Sequence, residues 1–175
     1  TTVVAQQPGR RLQPSIASIS DLAMFAGILL QKIVRLDDVV ASEDHGSALG
    51  MTPGTHWRRA TLLRAFPDDD TPLIFSELYV PAAYAAALPA AADAPKSIRK
   101  QLETRYGVRA TEASQRISAL ALPGNAADYL GAEPGAPGLE LLLHYLAADG
   151  ELLVVSRNLF RADRYSYSMR LELPR

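Results

Sequence analysis

The sequence has no cysteine among its 175 residues. That excludes disulfides, a cysteine nucleophile and thiolate metal ligation, and it accords with a reducing compartment. It has no basic excess either: 18 Lys and Arg stand against 19 Asp and Glu, for a formal net charge of −1. A domain that grips nucleic acid by its phosphates ordinarily carries surplus cations, so DNA binding by this chain itself is not expected. Long apolar runs are missing too. Leu22 to Leu30 falls well short of the roughly 20 residues that span a bilayer, and no charged start or small-residue cleavage site marks a signal peptide. A cytoplasmic location without membrane contact is the expectation. His45, His56 and His144 are too widely spaced to read as a metal set. Asp68 to Asp70 reads as a solvated hairpin tip rather than a cation site. Nothing calls for a cofactor.

What is present is ordinary globular material, 48% hydrophobic and 21% charged, long enough for one domain with a core. Residues 1–14, with Gln6, Gln7, Pro8, Gly9, Arg10 and Arg11, lack an apolar period and read as a linker or terminal segment; 15–175 read as the domain. Ser20 is a candidate N-cap for a short helix at Leu22 to Ala26. Ile33, Val34, Val39 and Val40 mark a strand or a bent pair of strands within 31–42. Gly46 to Gly50 reads as a helical turn closed by glycine. Strands are expected at His56 to Phe66 and Leu73 to Val80, then a helix in the alanine-rich run Ala82 to Ala92 that Pro89 breaks. Ser97 to Tyr106 places Ile98, Leu102 and Tyr106 on one helical face, with Gly107 as the cap. A strand at Arg109 to Leu122, a helix from Asn125 to Gly131 and a hairpin pairing Leu139 to Ala147 with Leu152 to Phe160 follow. Tyr165, Tyr167, Met169, Leu171 and Leu173 alternate with polar residues as a last strand. About six hairpin-connected strands argue an α+β fold, an antiparallel sheet with helices packed on one side.

The chain also repeats itself. Gly50-x-x-Pro53-Gly54 recurs 81 residues later as Gly131-x-x-Pro134-Gly135. Each copy follows a short helix and leads into a strand with a Leu-Leu pair, Leu62-Leu63 or Leu142-Leu143. Each then returns through Ser76-Glu77 or Ser156-Arg157, now 80 residues apart. Two equivalent units in one sheet imply a pseudo-twofold seam, a natural place for a pocket. Glu77 and Arg157 would face one cleft and grip a zwitterionic or hydroxylated ligand, or else form an ordinary surface pair.

These pieces, taken in order, resemble the UTRA domain, the effector-binding domain of HutC-type GntR transcription regulators. The resemblance runs from about Ser18 to Leu173. It rests on Ala48-Leu49-Gly50, Pro53-Gly54, Leu63-Arg64 before the Asp loop, and Ser76-Glu77-Leu78-Tyr79-Val80-Pro81. Tyr106-Gly107, Ile117-Ser118-Ala119, Ala126 to Gly131 and Arg161-Ala162-Asp163-Arg164-Tyr165 complete it. It implies a chorismate-lyase-like fold whose halves enclose a cleft for a small polar or anionic effector. It also implies a homodimer, with operator DNA held by a separate N-terminal winged helix-turn-helix that this chain would lack. Carried over position by position, it implies ligand contacts from Arg64, Glu77, Ser97, Ser18 and Tyr165 or Tyr167. Arg99 stands where the family has tyrosine, and Leu62 where it often has a second arginine, which favours a monoanion or zwitterion over a sugar phosphate. Arg157 and Arg161 are further candidates for an anion. The alternatives are a chorismate-lyase-like enzyme with Glu77 as general acid, and a dimerisation module with a vestigial pocket.

Overall fold

Alternating side chains and glycine-closed turns give two three-stranded antiparallel halves. The computed structural model describes residues 29–88 and 97–167. The expected cap at Ser20, the helix after it, Ser18 and the break at Pro89 lie outside them. In chain order come β1 (Leu30–Val40), α1 (Glu43–Leu49), β2 (His56–Ala65), β3 (Ile74–Pro81) and a 3-10 segment (Ala82–Ala87). Then come α2 (Ile98–Tyr106), β4 (Glu112–Ala121), α3 (Gly124–Leu130), β5 (Pro137–Leu146) and β6 (Leu152–Arg161). The strands form one antiparallel sheet in the order β1-β2-β3-β6-β5-β4. Each half is thus a hairpin plus an edge strand, and the halves meet where β3 pairs with β6.

The duplication is built into the backbone. Gly50 and Gly131 end α1 and α3 at φ 70° and 62°, a left-handed conformation open to glycine without a Cβ penalty. Ala41 N donates to Thr55 O at 2.8 Å, and its equivalent, Leu122 N, to Ala136 O at 2.9 Å. Gly54 N donates to Ala41 O at 2.8 Å, and Gly135 N to Leu122 O at 2.9 Å. β2 and β5 then show the same succession of buried and half-buried positions. In the seam Glu77 sits directly opposite Arg157, its own equivalent, so the pseudo-twofold axis passes through that pair.

Helices cover both faces of the sheet, not one. The pleat sends alternate residues to opposite sides. Ala60, Leu62, Leu78 and Val80 pack with Ala87 and Leu102, so the 3-10 segment and α2 lie on one side, here the α2 face. Trp57, Tyr79, Leu142 and Val155 pack with Leu49 of α1 on the opposite face, and Phe75 and Leu159 with Ala126, Ala127 and Leu130 of α3. Because both repeats bring a helix to the same face, the remaining helical pieces are left for the other. The alanine-rich run is a 3-10 segment over Ala82–Ala87, with Tyr84 off helical geometry. Of the expected last strand, Tyr165 forms an isolated β-bridge; 162–164 form a turn and 168–175 lie outside the described residues. Trp57 is a core residue.

Candidate functional site

Two apolar clusters occupy the α2 face, one around Ile74, Leu141, Phe160 and Tyr165, the other around Leu62, Leu78, Val154 and Leu102. Between them lies a polar band on the seam. Ser76, Ser156 and Asn158 are 0%, 7% and 6% exposed. Buried polar groups demand partners, and here they satisfy one another. Ser76 Oγ donates to Asn158 Oδ1 at 2.7 Å, and Asn158 Nδ2 donates to Leu141 O at 3.1 Å and Ser156 Oγ at 3.1 Å.

Arg64 enters this band from β2. Its Nε donates to Gln31 Oε1 at 2.8 Å, and its Nη1 to Ser76 Oγ at 2.6 Å and Asn158 Oδ1 at 3.4 Å. Every one of these acceptors is neutral. Among the described residues no carboxylate pairs with Arg64, and burial pushes its pKa down to about 10, which leaves it charged near neutrality. Its Nη2 has no hydrogen-bond partner among the described residues.

Across the seam stands Tyr145, the equivalent of Arg64 one repeat later. Burial raises its phenol pKa, while the charges of Arg99 and Arg64 pull it back. The Arg99 guanidinium lies over the ring, 5.4 Å from its centroid. Arg99 is held there by α2, whose Ser97 N-cap accepts from Lys100 N at 3.4 Å. Sequence reading missed Tyr145, Gln31 and Asn158. The 81-residue offset that relates Gly50 to Gly131 leads straight from Arg64 to Tyr145 and was the available signal.

The structure therefore brings Arg64 and Arg99 to one site, and Ser97 to the helix start beside it. It does not bring Glu77 and Arg157 there. The pleat splits each Ser-plus-charge pair, so Ser76 and Ser156 face the band while Glu77 and Arg157 project to the opposite face. There they form the middle of a ladder of alternating charge. Asp37 meets Arg59 at 2.6 Å, and Arg59 reaches Glu77 at 3.7 Å. Glu77 meets Arg157 at 3.3 Å, and Arg157 meets Glu140 at 2.6 Å. The hydrogen bond from Arg59 holds the Asp37 carboxyl below its usual range. For Arg157, burial disfavours the charge, but Glu140 and Glu77 outweigh it and the pKa rises.

The remaining candidates have structural partners. Tyr165 stacks on Phe160 at 3.9 Å between centroids, buried so that its phenol is pushed up to about 12, and Tyr167 packs against the same cluster. Arg161 binds Asp163 at 2.7 Å and the carbonyl of Gly131 at 2.8 Å. Asp69 is no free hairpin tip: it grips Arg164, which also donates to Thr71 O at 3.3 Å. His45 completes the capping box of Ser42, and His144 Nε2 lies 2.8 Å from Leu49 O.

The polar band, the seam and the duplicated hairpins can be set beside known proteins. The chain is similar to the effector domain of PhnF from Mycobacterium smegmatis, with 20% identity, 93% of this chain and 100% of that one covered, and a TM-score of 0.72. It is similar to a GntR-family transcriptional regulator from Enterococcus faecalis V583, with 19% identity, coverages of 81% and 100%, and a TM-score of 0.66. Against PhnF from Mycobacterium smegmatis it covers 96% of this chain and 73% of that one, at 20% identity and a TM-score of 0.69. No curated protein matches it. Among the described residues no helix is long and apolar enough to cross a membrane. The family model of the UTRA domain matches residues 31–166, most of the sequence, and the chain belongs to that family.

Proposed function

We propose that this chain is the effector-sensing domain of a bacterial HutC-type GntR transcription regulator, cytoplasmic and homodimeric, whose ligand is a small anion. The observation that carries this reading is Arg64. A charged guanidinium set deep between two apolar clusters, with only neutral partners, is a costly arrangement that a ligand anion would complete. Its place on the seam supports a sensory role, since a ligand there would touch both halves at once. Operator binding would belong to a separate domain, and the effector would act through its differential affinity for two arrangements of the protein. Of the expected contacts, Arg64, Arg99 and Ser97 belong to this proposal, with Tyr165 and Tyr167 walling one end; Glu77 and Arg157 do not. The enzyme alternative loses its general acid, because Glu77 is bound between Arg59 and Arg157 on the other face.

Thermal-shift screening against organic acids, sugar phosphates and amino acids tests it, with chorismate turnover assayed alongside. A sensor gains about 2.7 kcal/mol of stability from a ligand present at 100 times its Kd. Arg64→Met, which keeps an apolar stem, is expected to weaken that ligand about thirtyfold or more, because truncating one partner of a buried charge pair costs 2–5 kcal/mol. Unchanged affinity in this variant removes Arg64 from the site, and turnover of chorismate without any stabilising ligand defeats the sensor reading.

A further inference from the structure

Arg64 is held at its two ends by partners of different kinds. Its Nη1 end is set in the seam, where Ser76 Oγ accepts at 2.6 Å and Asn158 Oδ1 at 3.4 Å. Both acceptors are buried and tied to each other at 2.7 Å, and Asn158 is tied further to Leu141 O and Ser156. The Nε end rests on one acceptor, Gln31 Oε1 at 2.8 Å. Gln31 is only half-buried, as Arg64 is, and Arg64 is its one side-chain partner among the described residues.

The backbone beneath the two ends differs in the same sense. Ser76 and Asn158 stand opposite each other on the central strands β3 and β6. Gln31 stands directly opposite Arg64 near the start of β1, at an edge of the sheet. The register of β1 against β2 shifts between Ile33 and Arg35, so this end of β1 is a short run of pairs, Leu30 with Ala65 to Ile33 with Leu62, set off from the rest. Such irregularities at sheet edges re-aim side chains beside binding sites. The second half has no counterpart: opposite Tyr145, the equivalent of Arg64, stands Ala113.

A guanidinium meets a carboxylate or phosphate best through two parallel N–H bonds. Arg64 could offer such a fork from Nη2 together with either Nη1 or Nε. The first is taken by Ser76 and Asn158, whose departure would strand buried polar groups. The second is taken by Gln31 alone. An oxyanion adds a Coulomb attraction that a neutral amide lacks, and a half-buried edge side chain can turn to water when released.

Resting on the reading of this site as an effector pocket, we propose that Gln31 is an internal competitor of the effector: an oxyanion of the ligand displaces it from Arg64 Nε and takes the fork formed by Nε and Nη2. Between binding events the cation keeps a neutral partner at Nε. Selectivity follows, because a ligand must bring two oxygens on one centre to replace the amide in full.

Heteronuclear NMR titration of the chain with benzoate, acetate, inorganic phosphate and chloride tests this. The Arg64 Nε–H and Gln31 side-chain amide signals are assigned by their loss in Arg64→Lys and Gln31→Ala. At least one oxyanion is expected to move both signals on a single isotherm, with chloride weaker. Gln31→Ala should bind that oxyanion about threefold to tenfold tighter, the worth of one net hydrogen bond. Gln31→Glu supplies the carboxylate from within and should weaken binding about tenfold or more. The sign separates competition from support, since a Gln31 that merely positions Arg64 would make Gln31→Ala bind more weakly. Weaker or unchanged binding in Gln31→Ala, unchanged binding in Gln31→Glu, a Gln31 signal that stays put at saturation, or chloride as tight as the oxyanions overturns the proposal. In each of these cases the sensor reading stands as long as Arg64→Met loses the ligand. If no oxyanion moves the Arg64 signal, the exchange falls; if the wider thermal-shift screen also finds no ligand, the reading of the pocket falls with it.

Discussion

The two halves of the sheet share a backbone and differ in what they hang on it. Equivalent turns, equivalent hydrogen bonds and equivalent burial along β2 and β5 show that the frame is repeated. The side chains are not repeated but complementary. Where the first half has Ala41 against Trp57, the second has Leu122 against Gly138, so a small and a large residue change places and fill the same kind of site. Where the first half has Arg59 and Glu77, the second has Glu140 and Arg157, so the sign of charge inverts across the axis. A symmetric pair of like charges at the seam would repel; inversion turns the axis itself into an ion pair. Close packing and Coulomb's law both forced the copies apart while the backbone stayed put.

The largest test of this complementarity is volume. Trp57→Ala should cost about 3–5 kcal/mol by the cavity it opens. Gly138→Ala should cost about 1–3 kcal/mol, because a Cβ there would lie 2.6 Å from Leu122 Cδ2. Adding Leu122→Ala to Gly138→Ala should give less than the sum of the two single losses, measured by urea unfolding; additivity would mean that the two positions do not share a site.

The next test is charge. Glu77→Gln leaves Arg59 and Arg157 each with a single carboxylate, and a loss of about 1–3 kcal/mol is expected from a charged network of this burial. Effector affinity should stay unchanged, since Glu77 faces away from the pocket. A large affinity change with unchanged stability would put Glu77 back in the site. The ladder also predicts a pH response. The folded pKa of Asp37 lies below its unfolded value of 3.8, so its contribution is fully present above that value and is lost as pH falls through the lowered one. Asp37→Asn should flatten that acid limb in a pH series of melting temperatures; an unaltered limb would exclude Asp37 as its source.

The smallest difference is at the helix starts. α1 has a capping box at Ser42, while Pro123 precedes α3 without a side-chain cap. Ser42→Ala should cost about 1 kcal/mol, whereas Pro123→Ala should forfeit no capping bond; comparable losses of melting temperature at both ends would erase the distinction.

Much of the fold was legible because periodicity and turn chemistry are local. The hairpin strands, α2 with its Ser97 cap and Gly107 stop, and the two helices ending in glycine lie close to where the pattern places them. The α+β antiparallel sheet follows from hairpin connections alone. The alanine-rich run was misread in kind, since helix propensity is weak and a 3-10 segment satisfied the packing of Ala87. The site was legible only in part. Arg64 stood out as a charge in an apolar strand, and Arg99 as a cation beside a helix start. Glu77 misled because adjacent residues in a strand look like partners in sequence and are separated by the whole sheet in space.

By itself the sequence determined the repeat, the strand and turn pattern, and the family, since each depends on spacing along the chain. Only the tertiary structure decided that β3 meets β6, and therefore which residues share a face. That pairing placed the Glu77–Arg157 axis on one side and Arg64 and Tyr145, with Arg99 over its ring, on the other. The physical reason is that register between distant strands is set by burying apolar surface from both halves together, a condition no single stretch of sequence can express.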